Sequence, residues 1–280
     1  MASRSYRTVV AAFIAIFVSM ETTGAVISWP CPYLCSCDSR QQTVRCVDGT
    51  ASHASVPMGL PTDIRAFTMA DQNITVISAL SFTNLANLRK VEIVRSNIRE
   101  LEDSAFLMAP KVRRFNFSDN YLSRIPRAVS GLSLLKDLVL SNNAIRFLEV
   151  VNVKNLTKLR NLDLSRNIIS TLPPGFFDTL VNLRTLNLSY NTISAIHDGT
   201  FRHLTRLEDL YLSHNKIEEL SPHWMDNLQS LWTLQMNRAI WNYTQSSHIL
   251  PEGRSVLYPN LQHLFIAHNG LRSIPCDAEL

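Results

Sequence analysis

The chain has 280 residues, a net charge of +4, 46% hydrophobic residues and only 18% charged ones. That balance excludes a disordered tail and a polybasic nucleic-acid binder, and eight glycines leave little material for a phosphate-binding loop. Five cysteines, four of them within 16 residues, point to an oxidising compartment.

Residues 1–25 read as an export signal. Arg4 and Arg7 supply the positive start, Val9 to Met20 a 12-residue apolar run, and Thr23-Gly24-Ala25 a small-residue cleavage site. Crossing a bilayer takes about 20 apolar residues, so this run is too short to span, and no second stretch of that length follows. The mature chain is expected to begin near Val26 and to work outside the cell. Its 25 basic and 22 acidic residues call for neither nucleic acid nor a membrane surface as partner.

Residues 26–60 carry the cysteine cluster Cys31-x3-Cys35-x-Cys37-x8-Cys46. In an exported chain this reads as a disulfide knot rather than a metal site, and spacing leaves three pairings open.

From residue 61 to 274 one frame recurs. Leu159 to Leu172, LRNLDLSRNIISTL, fits LxxLxLxxNxIxxL in every fixed slot, and it returns 24 residues later as LRTLNLSYNTISAI and again as LEDLYLSHNKIEEL. Slot 1 falls at Ile64, Leu88, Val112, Leu135, Leu159, Leu183, Leu207, Leu231 and Leu261, giving nine repeats. Period and pattern are the leucine-rich repeat signature. Apolar alternation at slots 4 and 6 predicts a strand with one buried face. No 24-residue unit buries that face alone, so neighbours stack. The expected fold is an α/β solenoid: a curved right-handed coil with a parallel concave sheet and a mostly irregular or short-helical convex side. Slot 9 is Asn at Asn120, Asn143, Asn167, Asn191, Asn215 and Asn269, an amide suited to pairing freed backbone groups. Slot 19 (Phe82, Phe106, Val153, Phe177, Phe201 and Met225) is expected to form an apolar spine.

The segment CPYLCSC…VRC followed by VPMGLPTDI resembles the amino-terminal cap of extracellular leucine-rich repeat proteins, as in the Slit, Toll-like, Trk and small-proteoglycan families. The resemblance implies pairing of Cys31 with Cys37 and Cys35 with Cys46, and a role in binding protein ligands.

The eighth repeat departs from the frame. Ala239 takes slot 9, so the amide ladder is expected to break there, and residues 237–260 form a long irregular insert. Residues 275–280 look like the start of an incomplete closing cap. Cys276 has no partner in the sequence, which leaves a fragment of a longer chain, a disulfide-linked homodimer through Cys276, or a free thiol as readings.

Slots 2, 3, 5, 7 and 8 are expected to face the concavity. Slot 2 reads Arg65, Arg89, Arg113, Lys136, Arg160 and Arg184, a basic stripe suited to an acidic protein or a sulfated glycan, though nearby Glu92, Asp119, Asp137 and Asp163 are expected to cancel part of it. Tyr190, Tyr211, His214, Trp232, Phe265 and His268 gather in repeats six to nine and form the preferred ligand-binding patch, since exposed aromatics on a rigid surface are what binding hot spots are made of. Trp241, Tyr243 and Tyr258 lie in the insert beside them. Asn73, Asn116, Asn155, Asn187 and Asn242 head Asn-x-Ser/Thr sequons. No nucleophile elbow, phosphate loop or His-x-x-x-His zinc pair occurs, so no cofactor, metal or enzymatic activity is expected. The sequence therefore reads as a secreted, glycosylated protein that binds an extracellular protein ligand. Its alternatives are the ectodomain of a membrane receptor and a matrix protein binding collagen or glycosaminoglycan.

Overall fold

The computed structural model describes residues 29–47, 53–241 and 258–269. The chain divides into a leading unit, Met1–Pro30, and a main unit, Cys31–Leu280. The expected export signal, Asn242, Tyr243 and Cys276 lie outside the described residues.

In the main unit, alternation at slots 4 and 6 becomes a strand in all nine repeats. Their strands are β3 (Ala66–Ala70), β5 (Lys90–Val94), β7 (Arg114–Asn116), β8 (Asp137–Val139), β9 (Asn161–Asp163), β10 (Thr185–Asn187), β12 (Asp209–Tyr211), β14 (Thr233–Gln235) and β15 (His263–Phe265). They pair in sequence order, all parallel, with equal slots facing each other: Leu162 meets Leu186, which meets Leu210. The same register crosses the short third repeat (Arg114 to Asp137) and the long eighth one (Thr233 to His263). Length variation is thus absorbed away from the sheet.

The sheet begins in the cap. β1 (Ser36–Asp38) and β2 (Thr43–Cys46) form an antiparallel hairpin, and β2 pairs in parallel with β3. The two disulfides are Cys31–Cys37 and Cys35–Cys46, the pairing the family resemblance implied. Val44 and Cys46 are buried, so the hairpin closes the first coil against water.

Away from the sheet the coils return through turns, with, among the described residues, a 3-10 turn at Arg127–Gly131 and one short helix, α1 (Val150–Val153). Small parallel pairs appear as well: β4 (Val76–Ile77) with β6 (Glu100–Leu101), and β11 (Ala195–Ile196) with β13 (Glu219–Leu220). The slot 19 side chains are all buried. Phe82 stacks on Phe106 at 4.7 Å, and Phe177 meets Phe201 at 5.4 Å, two aromatic stretches of the spine with Val153 between them in sequence.

The asparagine ladder forms. Asn191 donates to the carbonyls of Leu188 in its own coil and Leu164 in the preceding one, both at 3.0 Å, while its Oδ1 accepts the N–H of Ile169 at 3.0 Å. Asn120, Asn143, Asn167 and Asn215 repeat the motif. At Ala239 the amide rung is missing, yet the backbone closes the gap: the N–H of Ile217 donates to the Ala239 carbonyl at 2.9 Å. Asn269 takes up the next rung, donating to Met236 and accepting from Ala239.

Candidate functional site

The surface divides by slot, though not as alternation suggests. Slots 3 and 5 project from the strands. Slot 7 joins them only in part: Ser165, Ser189 and Ser213 are buried, Ser118 and Ser141 are half-buried, and Ala267 is exposed. At slot 8 the chain turns a corner. Asp71, Arg95, Asp119, Asn142, Arg166, Tyr190, His214, Arg238 and His268 all have positive φ, between 48° and 60°, and none is glycine. A left-handed L-residue costs on the order of 1 kcal/mol, so this corner is held by the ladder behind it.

The proposed aromatic patch is therefore not one surface. Tyr190, His214 and His268 stand on the corner where strands end. Trp232 stands at slot 2, where strands begin, up to about 20 Å away along the chain. Only Tyr211 and Phe265 are on the sheet itself, in β12 and β15 with Gln235 between them. Two smaller clusters result. On the corner, Tyr190 lies flat against His214 at 4.2 Å, and the Arg166 guanidinium sits 4.4 Å from the Tyr190 ring. At the strand starts, His263 lies 6.1 Å from Trp232 and 6.4 Å from Phe265, joining them into a triad. Trp232 is 42% exposed and Phe265 45% exposed. His263 and Arg166 went unnoticed in the sequence. Arg166 lies one repeat before Tyr190 in the same row, whereas His263 lies one repeat after Trp232 in the adjoining row and two residues before Phe265 on β15.

Tyr211 is half-buried, and its phenol is pushed above the usual value first by burial and then by the neighbouring Asp209 carboxylate. From the insert, Trp241 is exposed with the Lys216 ammonium 5.7 Å above its ring, and Tyr258 is half-buried.

The basic stripe is continuous. Its backbone groups bond strand to strand, Arg89 to Arg65, Arg113 to Arg89, Lys136 to Arg113 and Arg160 to Lys136, each at 2.8 Å. The expected cancellation is redirected. Glu92 pairs with Lys90 at 2.9 Å, Asp137 with Arg114 at 3.2 Å, and Asp163 accepts the N–H of Ser165 at 2.9 Å. Asp119, on the corner, takes Asn142. Of the six stripe cations only Arg184 holds an acid among the described residues, namely Glu208.

The sequon asparagines fall into two kinds. Asn73 and Asn155 are exposed, whereas Asn116 and Asn187 on the sheet are half-buried and accept the N–H of Ser118 and Ser189, their own sequon serines. Near the cap, His53 Nε2 lies 3.9 Å from Cys35 Sγ. With Cys46 these atoms cluster closely, but both cysteines are spent in a disulfide and offer no thiolate to a metal.

The family model for the leucine rich repeat matches residues 86–145, 133–193 and 182–238, together more than half of the chain. The chain belongs to the leucine-rich repeat family. Its repeats are similar to those of the rat leucine-rich repeat transmembrane protein FLRT2, 35% identical over 106 residues, covering 37% of this chain and 16% of that protein. Trophoblast glycoprotein of Macaca fascicularis is 31% identical over 36% of this chain and 24% of its own length. Bovine asporin is 27% identical over 34% of this chain and 26% of its own. The chain thus matches a quarter or less of the length of the first two. Among solved structures, the TLR13–ssRNA13 complex aligns with a TM-score of 0.65 and 23% identity, over 73% of this chain and 29% of that one. At that identity the likeness speaks for the leucine-rich repeat fold alone.

Proposed function

We propose that the protein is an extracellular recognition module that binds a protein ligand at the Trp232–His263–Phe265 triad. The observation that carries this is the exposure of two large apolar side chains, Trp232 at a strand start and Phe265 on β15, with His263 bridging them. Each is held in a fixed row by the coils around it, so little ordering entropy is lost on association. The capped, disulfide-bonded first coil and the likeness to proteins named as a transmembrane protein and a glycoprotein support an extracellular setting. Among the described residues no helix is long and apolar enough to cross a membrane, and both a secreted binder and a receptor ectodomain fit this site.

The test is to display the protein against a panel of secreted and cell-surface ectodomains, alongside the variant Trp232→Ala/Phe265→Ala. Truncating hot-spot aromatics costs about 2 kcal/mol or more, so binding to the true ligand should fall about 30-fold. Unchanged binding of every panel hit by the double variant would sink the reading.

A further inference from the structure

We infer that the strand-start edge of the first five repeats is a binding track for a linear sulfated polysaccharide of the glycosaminoglycan kind. This inference is independent of the aromatic triad. Arg65, Arg89, Arg113, Lys136 and Arg160 stand one per strand, in consecutive strands, with no acid paired to any of them among the described residues. Neighbouring strands lie about 4.8 Å apart, so the row is about 19 Å long. Its members cannot drift apart, because the same residues are tied to one another through their backbones. The row also has defined ends. Toward the cap the next residue is Gln42, whose carbonyl accepts the N–H of Arg65, and toward the other end Glu208 neutralises Arg184.

Two acids close to this row are already compensated, since Lys90 and Arg114, at slot 3, hold Glu92 and Asp137. Asp163 accepts the N–H of Ser165 and Asp63 the side-chain amide of Gln42, so both are tied to groups other than the row while keeping their charge. The slot 2 charges are thus left facing solvent as a line of one sign. Such a line fits a repeating anion better than a folded partner. A protein interface needs apolar or aromatic anchors near its centre, and slots 3 and 5 of these repeats supply Thr68, Asn116 and Asn161 but no aromatic side chain. Single-stranded nucleic acid needs stacking platforms for its bases, and the same slots offer none. A sulfated chain asks only for charge and donors, and a guanidinium meets a sulfate oxygen pair with two parallel N–H groups.

The experiment uses the secreted full chain on immobilised heparin, with affinity for a heparin octasaccharide measured across a salt series. Arg89→Gln/Arg113→Gln/Arg160→Gln is compared with Lys111→Gln/Lys154→Gln/Lys158→Gln, which removes equal charge from other exposed positions. The stripe variant should lose about tenfold or more in affinity and show a shallower dependence on salt, because fewer counterions are displaced; the control variant should behave as the parent. Arg89→Lys/Arg113→Lys/Arg160→Lys should recover most of the binding, which separates charge from misfolding. Equal loss in both glutamine variants, or no retention of the parent above physiological salt, would overturn the proposal. So would binding of polyglutamate or single-stranded DNA as tight as that of the octasaccharide, since the track would then belong to another polyanion.

Discussion

The backbone carbonyl of Ala239 accepts the N–H of Ile217 at 2.9 Å, at the point where other coils present an asparagine side chain. A ladder built from amides has here been completed by the chain itself. Beside it, Ile217 is paired with Ile240 as a parallel bridge.

This distinguishes two kinds of rung. Replacing Asn191 with Ala strands the N–H of Ile169, while the carbonyls of Leu164 and Leu188 each lose one of two amide donors and keep Asn167 and Asn215. An unpaired buried group costs about 1–3 kcal/mol, so urea unfolding should show a loss of that order. Ala239→Asn should change stability by less than about 1 kcal/mol, because its rung is already filled. A larger gain would mean that the backbone contact is a poor substitute.

The corner residues give a second contrast. Arg238 has φ of 53° and no side-chain partner among the described residues, so Arg238→Gly should be neutral or stabilise by up to about 1 kcal/mol. Tyr190→Gly relieves the same strain but removes the stack on His214 and the Arg166 contact. Thermal melts should show it destabilised by about 1 kcal/mol.

Acid should release one ion pair late. A hydrogen bond from Arg95, reinforced by its charge and opposed by partial burial, holds the Asp71 carboxyl below its ordinary value. A lowered folded value means that the pair stabilises the fold above about pH 3.9, the unfolded value, and that this is lost as pH falls through the lower folded value. Carboxyl carbon shifts in an NMR titration should give Asp71 a midpoint below that unfolded value. Arg95→Ala should return it upward.

Tyr211 should titrate late at the other extreme. Burial and Asp209 raise its phenol, so absorbance near the phenolate band should rise above about pH 10. Asp209→Asn should lower the midpoint without abolishing the shift, since burial is the larger cause.

Much of this molecule could be read from one dimension. Leu162, Asn167 and Phe177 announce strand, ladder and spine because repetition at 24 residues makes each position testify several times. The surface was less legible. Ser189 looks exposed by alternation, yet it is buried while Ala267 in the same slot is exposed, and alternation says nothing of that difference. Tyr190 and Trp232 look like neighbours in a list of aromatics, yet they occupy opposite ends of the strands. Glu92 seemed set to neutralise the slot 2 row, and the pair it makes with Lys90 instead depends on where two side chains reach. Frames fix which residues are buried; partners depend on where side chains reach, along one strand as for Glu92 and Lys90 or between coils as for Trp232 and His263.

The parallel register also bears on how the chain comes into being. Nearly every sheet and ladder contact joins residues about one repeat apart, as Arg160 to Lys136 and Asn191 to Leu164 do. Loop closure over so short a span loses little entropy, and topologies of this kind fold quickly for their strand content. A growing polypeptide can add each turn to the one already formed as it leaves the ribosome, with the disulfide hairpin at β1 and β2 as the first template. The order of synthesis and the order of assembly then run in the same direction.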